Sequence, residues 1–178
     1  MVRWVPGLWL SFAVLASSAP AGLHRYEAVE PHMGTLVRVT VYTPDEQTAK
    51  AAFRAAFDRI RDLDDILSDY KPDSELNRIT KAAVNRAMPV SEDLFTVLRA
   101  SQELAGATGG AFDITQAPVI QLWREARRTG RMPDAAALRD AATRAGFRKL
   151  HLDAQQRTVR FEMTGMALDV GEIGRAHV

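Results

Sequence analysis

The stretch Gly109-Gly110-Ala111-Phe112-Asp113-Ile114-Thr115-Gln116-Ala117-Pro118 constrains the fold more than any other part of the chain. Paired glycines let the backbone take positive φ and approach a ligand without side-chain obstruction. They close the helix before them, and Pro118 opens the helix after them, because a proline's missing N–H costs nothing in a first turn. Asp113 and Thr115 then stand at a helix entrance, where unpaired N–H groups and the helix dipole favour an anion such as phosphate. The same residues also read as a C-cap glycine followed by an N-cap threonine, with Phe112 filling core. Both readings require helix, glycine break, helix.

Around this centre the hydrophobic periodicity assigns the remaining elements. Tyr26 to Val29 reads as extended, and Pro31-His32-Met33-Gly34-Thr35 as a loop. Between Leu36 and Thr43, Val37, Val39 and Val41 alternate with Arg38, Thr40 and Tyr42, the period of a half-buried strand. Thr43-Pro44-Asp45-Glu46 reads as a capping box with proline at the first helical position. Ala49, Phe53, Ala56, Ile60, Leu63 and Leu67 then form the apolar stripe of a long helix. The polar run Ser68 to Ser74 ends it, and a shorter helix begins near Glu75. Ser91 caps a helix carrying Leu94, Leu98, Ser101 and Ala105 toward the glycine pair. The helix after Pro118 bears Val119, Leu122 and Trp123 and is expected to fray in the basic run Arg124 to Arg131. Pro133 starts a further helix that Gly146 ends. Lys149 to Asp153 and Thr158 to Met163 read as a β-hairpin, and Met166 to Val170 as an apolar strand carrying Asp169 toward Gly171. Strands at both ends with helices between them predict one α+β domain.

Composition excludes several chemistries. With 178 residues, 47% of them hydrophobic, the chain can bury a core. The absence of cysteine removes disulfides, thiol nucleophiles and thiolate metal sites. His24, His32 and His151 show no metal-ligand spacing. Met1-Val2-Arg3, the apolar run Trp4 to Ala16 and Ala19-Pro20-Ala21 have the layout of a secretory signal peptide, so residues 1–21 are expected to be a leader and the protein to be exported. An uncleaved anchor or a buried helix are the alternatives for the same run. One of the 23 basic residues, Arg3, lies in that leader, which leaves 22 against 22 acids and no electrostatic case for nucleic acid.

Four segments stand in order: Met33-Gly34-Thr35; Ser68-Asp69-Tyr70-Lys71-Pro72-Asp73-Ser74-Glu75-Leu76; Gly110-Ala111-Phe112-Asp113-Ile114-Thr115 with Pro118; and Leu168-Asp169-Val170-Gly171. Together they resemble the ApbE family of FAD:protein FMN transferases, from about Glu30 to Gly171. The resemblance implies FAD as donor substrate, Mg2+, and transfer of FMN to a threonine hydroxyl of an acceptor redox protein with release of AMP. It also implies a place in the periplasm or on the outer face of the cytoplasmic membrane. By resemblance Met33, Gly34 and Thr35 lie along the flavin nucleotide and Tyr70 stacks on it. Ala111, Phe112 and Asp113 hold the cofactor, and Asp169 contacts it beside the metal. Pyrophosphate cleavage needs positioning and charge neutralisation more than a protein nucleophile, which agrees with this set. Taken singly, Met33 and Tyr70 also read as packing residues, and Asp69 and Asp73 as turn formers.

Residues 22–171 therefore read as the amino-terminal part of such a domain. Beyond Gly171 the family pattern is expected to stop, and the later carboxylate and threonine cluster that supplies most magnesium ligands is missing. Residues 172–178, Glu172 to Val178, can be back-translated into the start of a sequencing-adapter oligonucleotide, so they are expected to be a non-native tail; a stop codon after Val178 in genomic DNA would overturn that. A fragment of this kind is expected to lack transferase activity. A metal-dependent FAD pyrophosphatase, a non-catalytic exported flavin-binding protein and an exported domain with no flavin role are the competing readings.

Overall fold

The computed structural model describes residues 22–173; the expected leader and all but the first two residues of the expected tail lie outside them. Two strands open the domain, β1 (His24–His32) and β2 (Thr35–Thr43), paired antiparallel from His24 with Thr43 to His32 with Thr35. The ladder leaves only Met33 and Gly34 as the turn, at φ 49° and 72°. Positive φ at both central residues matches the twist of a two-residue hairpin. The expected loop at 31–35 is thus mostly strand. Methionine carries no signal for positive φ, so this turn was invisible in the sequence.

Helix α1 (Glu46–Leu67) packs on this hairpin. Its cap is Asp45 rather than Thr43: the Asp45 carboxylate accepts from the Thr48 amide at 2.8 Å. Pro44 consequently lies outside the helix. The cap holds the Asp45 carboxyl below the usual range, through the Thr48 backbone N–H first and the Thr48 hydroxyl second. Along the expected stripe Ala49 is buried, while Phe53, Ala56, Ile60, Leu63 and Leu67 are half-buried; Phe57 is the large side chain that α1 buries fully.

The core is built from the elements after α1, with Ile66 and Leu67 at the end of α1 packed against it. Helix α2 (Glu75–Ala82) is capped by Ser74 and α3 (Glu92–Ala107) by Ser91. Leu94, Leu98, Ser101 and Ala105 are buried on α3, as their spacing requires. A three-stranded antiparallel sheet, in the order β3 (Met88–Pro89), β5 (Thr158–Phe161), β4 (Leu150–Asp153), closes the core with Val159 and Phe161 fully buried. The expected β4–β5 hairpin is present; β3 pairs with β5 across some 70 intervening residues and had no local signal. Met166 and Leu168 join this core, together with Leu76, Ile79, Val90, Ile114 and Leu150.

Three boundaries differ from expectation for local reasons. Helix α4 (Ala117–Thr129) does not fray at the arginines but runs through them to Gly130, which caps it at φ 69°. Arg127 and Arg128 fall in its last turn, where cations complement the dipole. Helix α5 (Ala135–Thr143) is capped by Asp134 rather than opened at Pro133, and ends before Gly146. Residues 166–170 are extended but form no strand. They make one parallel bridge, Ala167 to Gln116, and the Asp169 amide donates to the Ile114 carbonyl at 2.8 Å.

Candidate functional site

The central glycines behave as their spacing demands. Gly109 and Gly110 take φ 61° and 88° just after α3, and the Gly110 amide returns to the Ala105 carbonyl at 2.8 Å. Asp113 and Thr115, a few residues on, form a clamp. The Asp113 carboxylate accepts from the Thr115 amide at 2.8 Å, the Thr115 hydroxyl at 2.6 Å and the Phe147 amide at 3.0 Å. Thr115 is fully buried, and its hydroxyl oxygen accepts from the Gly146 amide at 2.7 Å. Asp113 and Thr115 therefore serve the start of the short 3-10 turn at Phe147–Lys149, not α4. Helix α4 begins after Gln116 with no side-chain cap, and neither Asp113 nor Thr115 is its N-cap.

A second construction surrounds Tyr70. The loop after α1 is fastened by Asn77, whose side-chain amide donates to the carbonyls of Asp69 at 3.0 Å and Lys71 at 2.9 Å. The Ser68 hydroxyl accepts from the Tyr70 and Lys71 amides, both at 3.3 Å. Lys71 bridges to Asp64 and Asp65 on α1. The Tyr70 side chain is left 75% exposed on a loop tied from several sides.

Arg124, on α4, joins this loop to Asp169. One guanidinium nitrogen donates to Asp69 at 2.5 Å and another to Asp169 at 2.7 Å, while the guanidinium carbon lies 4.7 Å from the centre of the Tyr70 ring. Partial burial of Arg124 disfavours its charged form, but the bond to Asp69 and the charges of Asp69 and Asp169 outweigh that and raise its pKa. Asp169 also accepts from the Gly171 amide at 3.0 Å. Sequence reasoning passed over Arg124 because it is the first of several arginines in a helix.

Between these parts runs a cleft of about 690 Å³, walled by Met33 and Gly34 from the hairpin tip, residues 67–71 from α1 and the loop, Val97, and Val170, Gly171 and Ile173. A shallower trough of about 550 Å³, with Thr35, Arg61 and His32 in its wall, adjoins it at Met33, Gly34, Asp64 and Lys71. The volume of the cleft suits a small-molecule site. At Gly34 the space a side chain would take is open.

The structure thus brings Met33, Gly34 and Tyr70 to the cleft and Thr35 to the trough, while Asp169 does not line the cleft but directly precedes Val170, which does. It does not bring Ala111, Phe112 or Asp113 to either wall. Phe112 packs against the core, and Ala111 is exposed. The Asp113 and Asp169 backbones belong to adjoining segments, yet their carboxylates take different partners. The magnesium ion implied by the resemblance does not fit these residues by themselves. Among the described residues no group of three or more His, Cys, Asp or Glu side chains is arranged to hold a metal, and Asp69 and Asp169 share a guanidinium instead.

An α+β domain with a cleft of this size, lined in part by Tyr70, has the form of a small-molecule-binding domain. Within that class the chain belongs to the ApbE family, whose model matches residues 33–178. That span includes residues 172–178. A protein named FAD:protein FMN transferase from Treponema pallidum is 30% identical over 161 residues, covering 87% of this chain and 44% of its own. One of the same name from Klebsiella pneumoniae is 33% identical over 150 residues, covering 82% and 43%. The chain therefore spans less than half the length of these curated relatives. The flavin transferase ApbE from Vibrio cholerae shares the fold with a TM-score of 0.73 at 24% identity, over 83% of this chain and 48% of that one. The flavinyl transferase ApbE from Pseudomonas stutzeri, in its apo form, does so with a TM-score of 0.72 at 23% identity, over 87% and 50%.

Proposed function

We propose that the described domain is part of an FAD:protein FMN transferase that works outside the cytoplasm, on an acceptor redox protein. The observation that carries the proposal is the cleft: an exposed tyrosine held by a bridging arginine faces a glycine-containing hairpin tip, in a chain that belongs to the ApbE family. Met33, Gly34 and Tyr70 bind the flavin nucleotide there. The Tyr70 ring offers a stacking face, and Gly34 lets backbone approach the ligand.

When bound, FAD supplies the activated FMN group. In the transfer the acceptor threonine oxygen would bond to the FMN phosphorus as the phosphoanhydride bond to AMP breaks, with AMP leaving as the anion and the hydroxyl proton passing to solvent. The chain's own contribution is to orient the donor and keep the cleft rigid, which lowers the entropic part of the barrier. Magnesium dependence is part of the proposal.

The test uses the full-length protein from the source genome, incubated with FAD, with magnesium or EDTA, and with a candidate acceptor. A threonine-linked FMN adduct by mass spectrometry, with stoichiometric AMP and only in the presence of magnesium, supports the proposal. Free FMN plus AMP points to a pyrophosphatase, and FAD retained without turnover to a binding protein. No FAD binding at all sinks the flavin reading.

A further inference from the structure

Tyr70 poses a question that packing does not answer. A large aromatic ring 75% exposed has no reason to be fastened, yet Asn77, Ser68 and Lys71 hold its loop, and Arg124 lies against the ring itself. The Arg124 contacts differ in kind from the others because they reach across the fold. Asp69 and Tyr70 follow α1, Asp169 is the penultimate residue of the 166–170 segment, and Arg124 comes from α4. The cleft has Asp69 and Tyr70 in its lining, and also Val170 and Gly171, which follow Asp169, so from outside the lining one guanidinium ties together the two segments that supply them.

We propose that Arg124 is a positioning residue that sets the width of the cleft and the tilt of the Tyr70 ring, so that the ring is a preformed platform for one face of a planar heterocycle. This deepens the flavin reading and rests on it for the identity of the heterocycle. The chemistry needs arginine in particular. Its planar fork donates to two carboxylates at once while its face lies on the ring, which a lysine ammonium cannot reproduce. The Asp69 and Asp169 side chains are 18% and 10% exposed, so removing the cation leaves two largely covered acids facing each other. Their repulsion would push the walls apart and free the ring. Preorganisation of this kind raises affinity by removing the cost of ordering the loop at the moment of binding.

Two measurements on Arg124→Met and Arg124→Lys test it, and they fail separately from the flavin reading. The first needs no ligand: amide hydrogen exchange at Tyr70 and Lys71 should quicken by about tenfold in both variants, while exchange at Leu94 and Leu98 in the core stays as in the parent. Unchanged exchange at Tyr70 and Lys71 overturns the positioning role whether or not FAD binds. The second is an FAD titration of Arg124→Met, Tyr70→Leu and the double variant. Arg124→Met should weaken binding roughly 3- to 30-fold, Tyr70→Leu by a similar factor, and the double variant by no more than the worse single. Additive losses would mean that Arg124 acts on the ligand independently of Tyr70, which overturns the proposal. Faster exchange in the variants of a parent that binds no FAD leaves the positioning role standing and removes the flavin reading. Should Arg124→Met fail to fold, Arg124→Lys alone decides through the same exchange readout.

Discussion

Removing the Asp113 carboxylate separates two roles that the sequence could not distinguish. In Asp113→Ala three donors lose their acceptor: the Thr115 amide, the Thr115 hydroxyl and the Phe147 amide, at 2.8, 2.6 and 3.0 Å. At a net contribution of about 1 kcal/mol per hydrogen bond the loss is ~3 kcal/mol, with the fully buried Thr115 hydroxyl placing it at the high end. For a chain of this size each 1 kcal/mol moves the melting temperature by about 2–4 °C, so Asp113→Ala should melt roughly 6–12 °C lower. Asp113→Asn keeps one acceptor oxygen for the two Thr115 donors but turns an NH2 group toward the Phe147 N–H, so about half of that loss is expected. Thermal unfolding monitored by circular dichroism reads both shifts, with Thr115→Val as a partner variant whose effect should not add to that of Asp113→Ala. An Asp113→Ala protein that melts within about 2 °C of its parent would refute the clamp. If Asp113→Asn keeps the parental melting point but loses FAD, the carboxylate is a ligand group, as the family resemblance implies.

The other expectations concern the frame around the site. Gly110→Ala should cost about 2–3 kcal/mol, because a Cβ there would lie 3.1 Å from Phe147 Cε1 at φ 88°, whereas Gly109→Ala, at φ 61° in open space, should cost only about 1 kcal/mol; chemical denaturation of the pair checks the difference. Leu98→Ala, fully buried on α3, should cost roughly 3–5 kcal/mol in the same assay. The Asp45 cap gives α1 an acid sensitivity of defined sign. Its folded pKa lies below the ordinary carboxyl value, so its stabilisation is complete above that value and is lost as pH falls through the folded pKa. Asp45→Asn should flatten the acid limb of the melting temperature against pH, and an unchanged limb would show that the cap does not contribute.

Relatives named FAD:protein FMN transferase are roughly twice as long as this chain, which bears on what the described domain can do alone. It supplies a cleft lined in part by Tyr70, but no metal set among the described residues.

The features legible in the chain before folding each rest on residues close at hand. The helix start near Glu75, the serine cap at 91, the glycine break at 109–110, the α3 stripe and the β4–β5 hairpin depend on neighbours within one turn or one loop, where capping and periodicity operate. The α+β class came from their order. Which residues meet was settled by folding alone. Arg124 is one arginine in a basic run until α4 sets it beside Asp69, Tyr70 and Asp169, and Asp113 is an acid near a helix start until Gly146 and Phe147 arrive to meet its clamp. A charge acquires its role from groups tens of residues away in the chain, and hydrogen-bond distance to those groups exists only after the chain has folded.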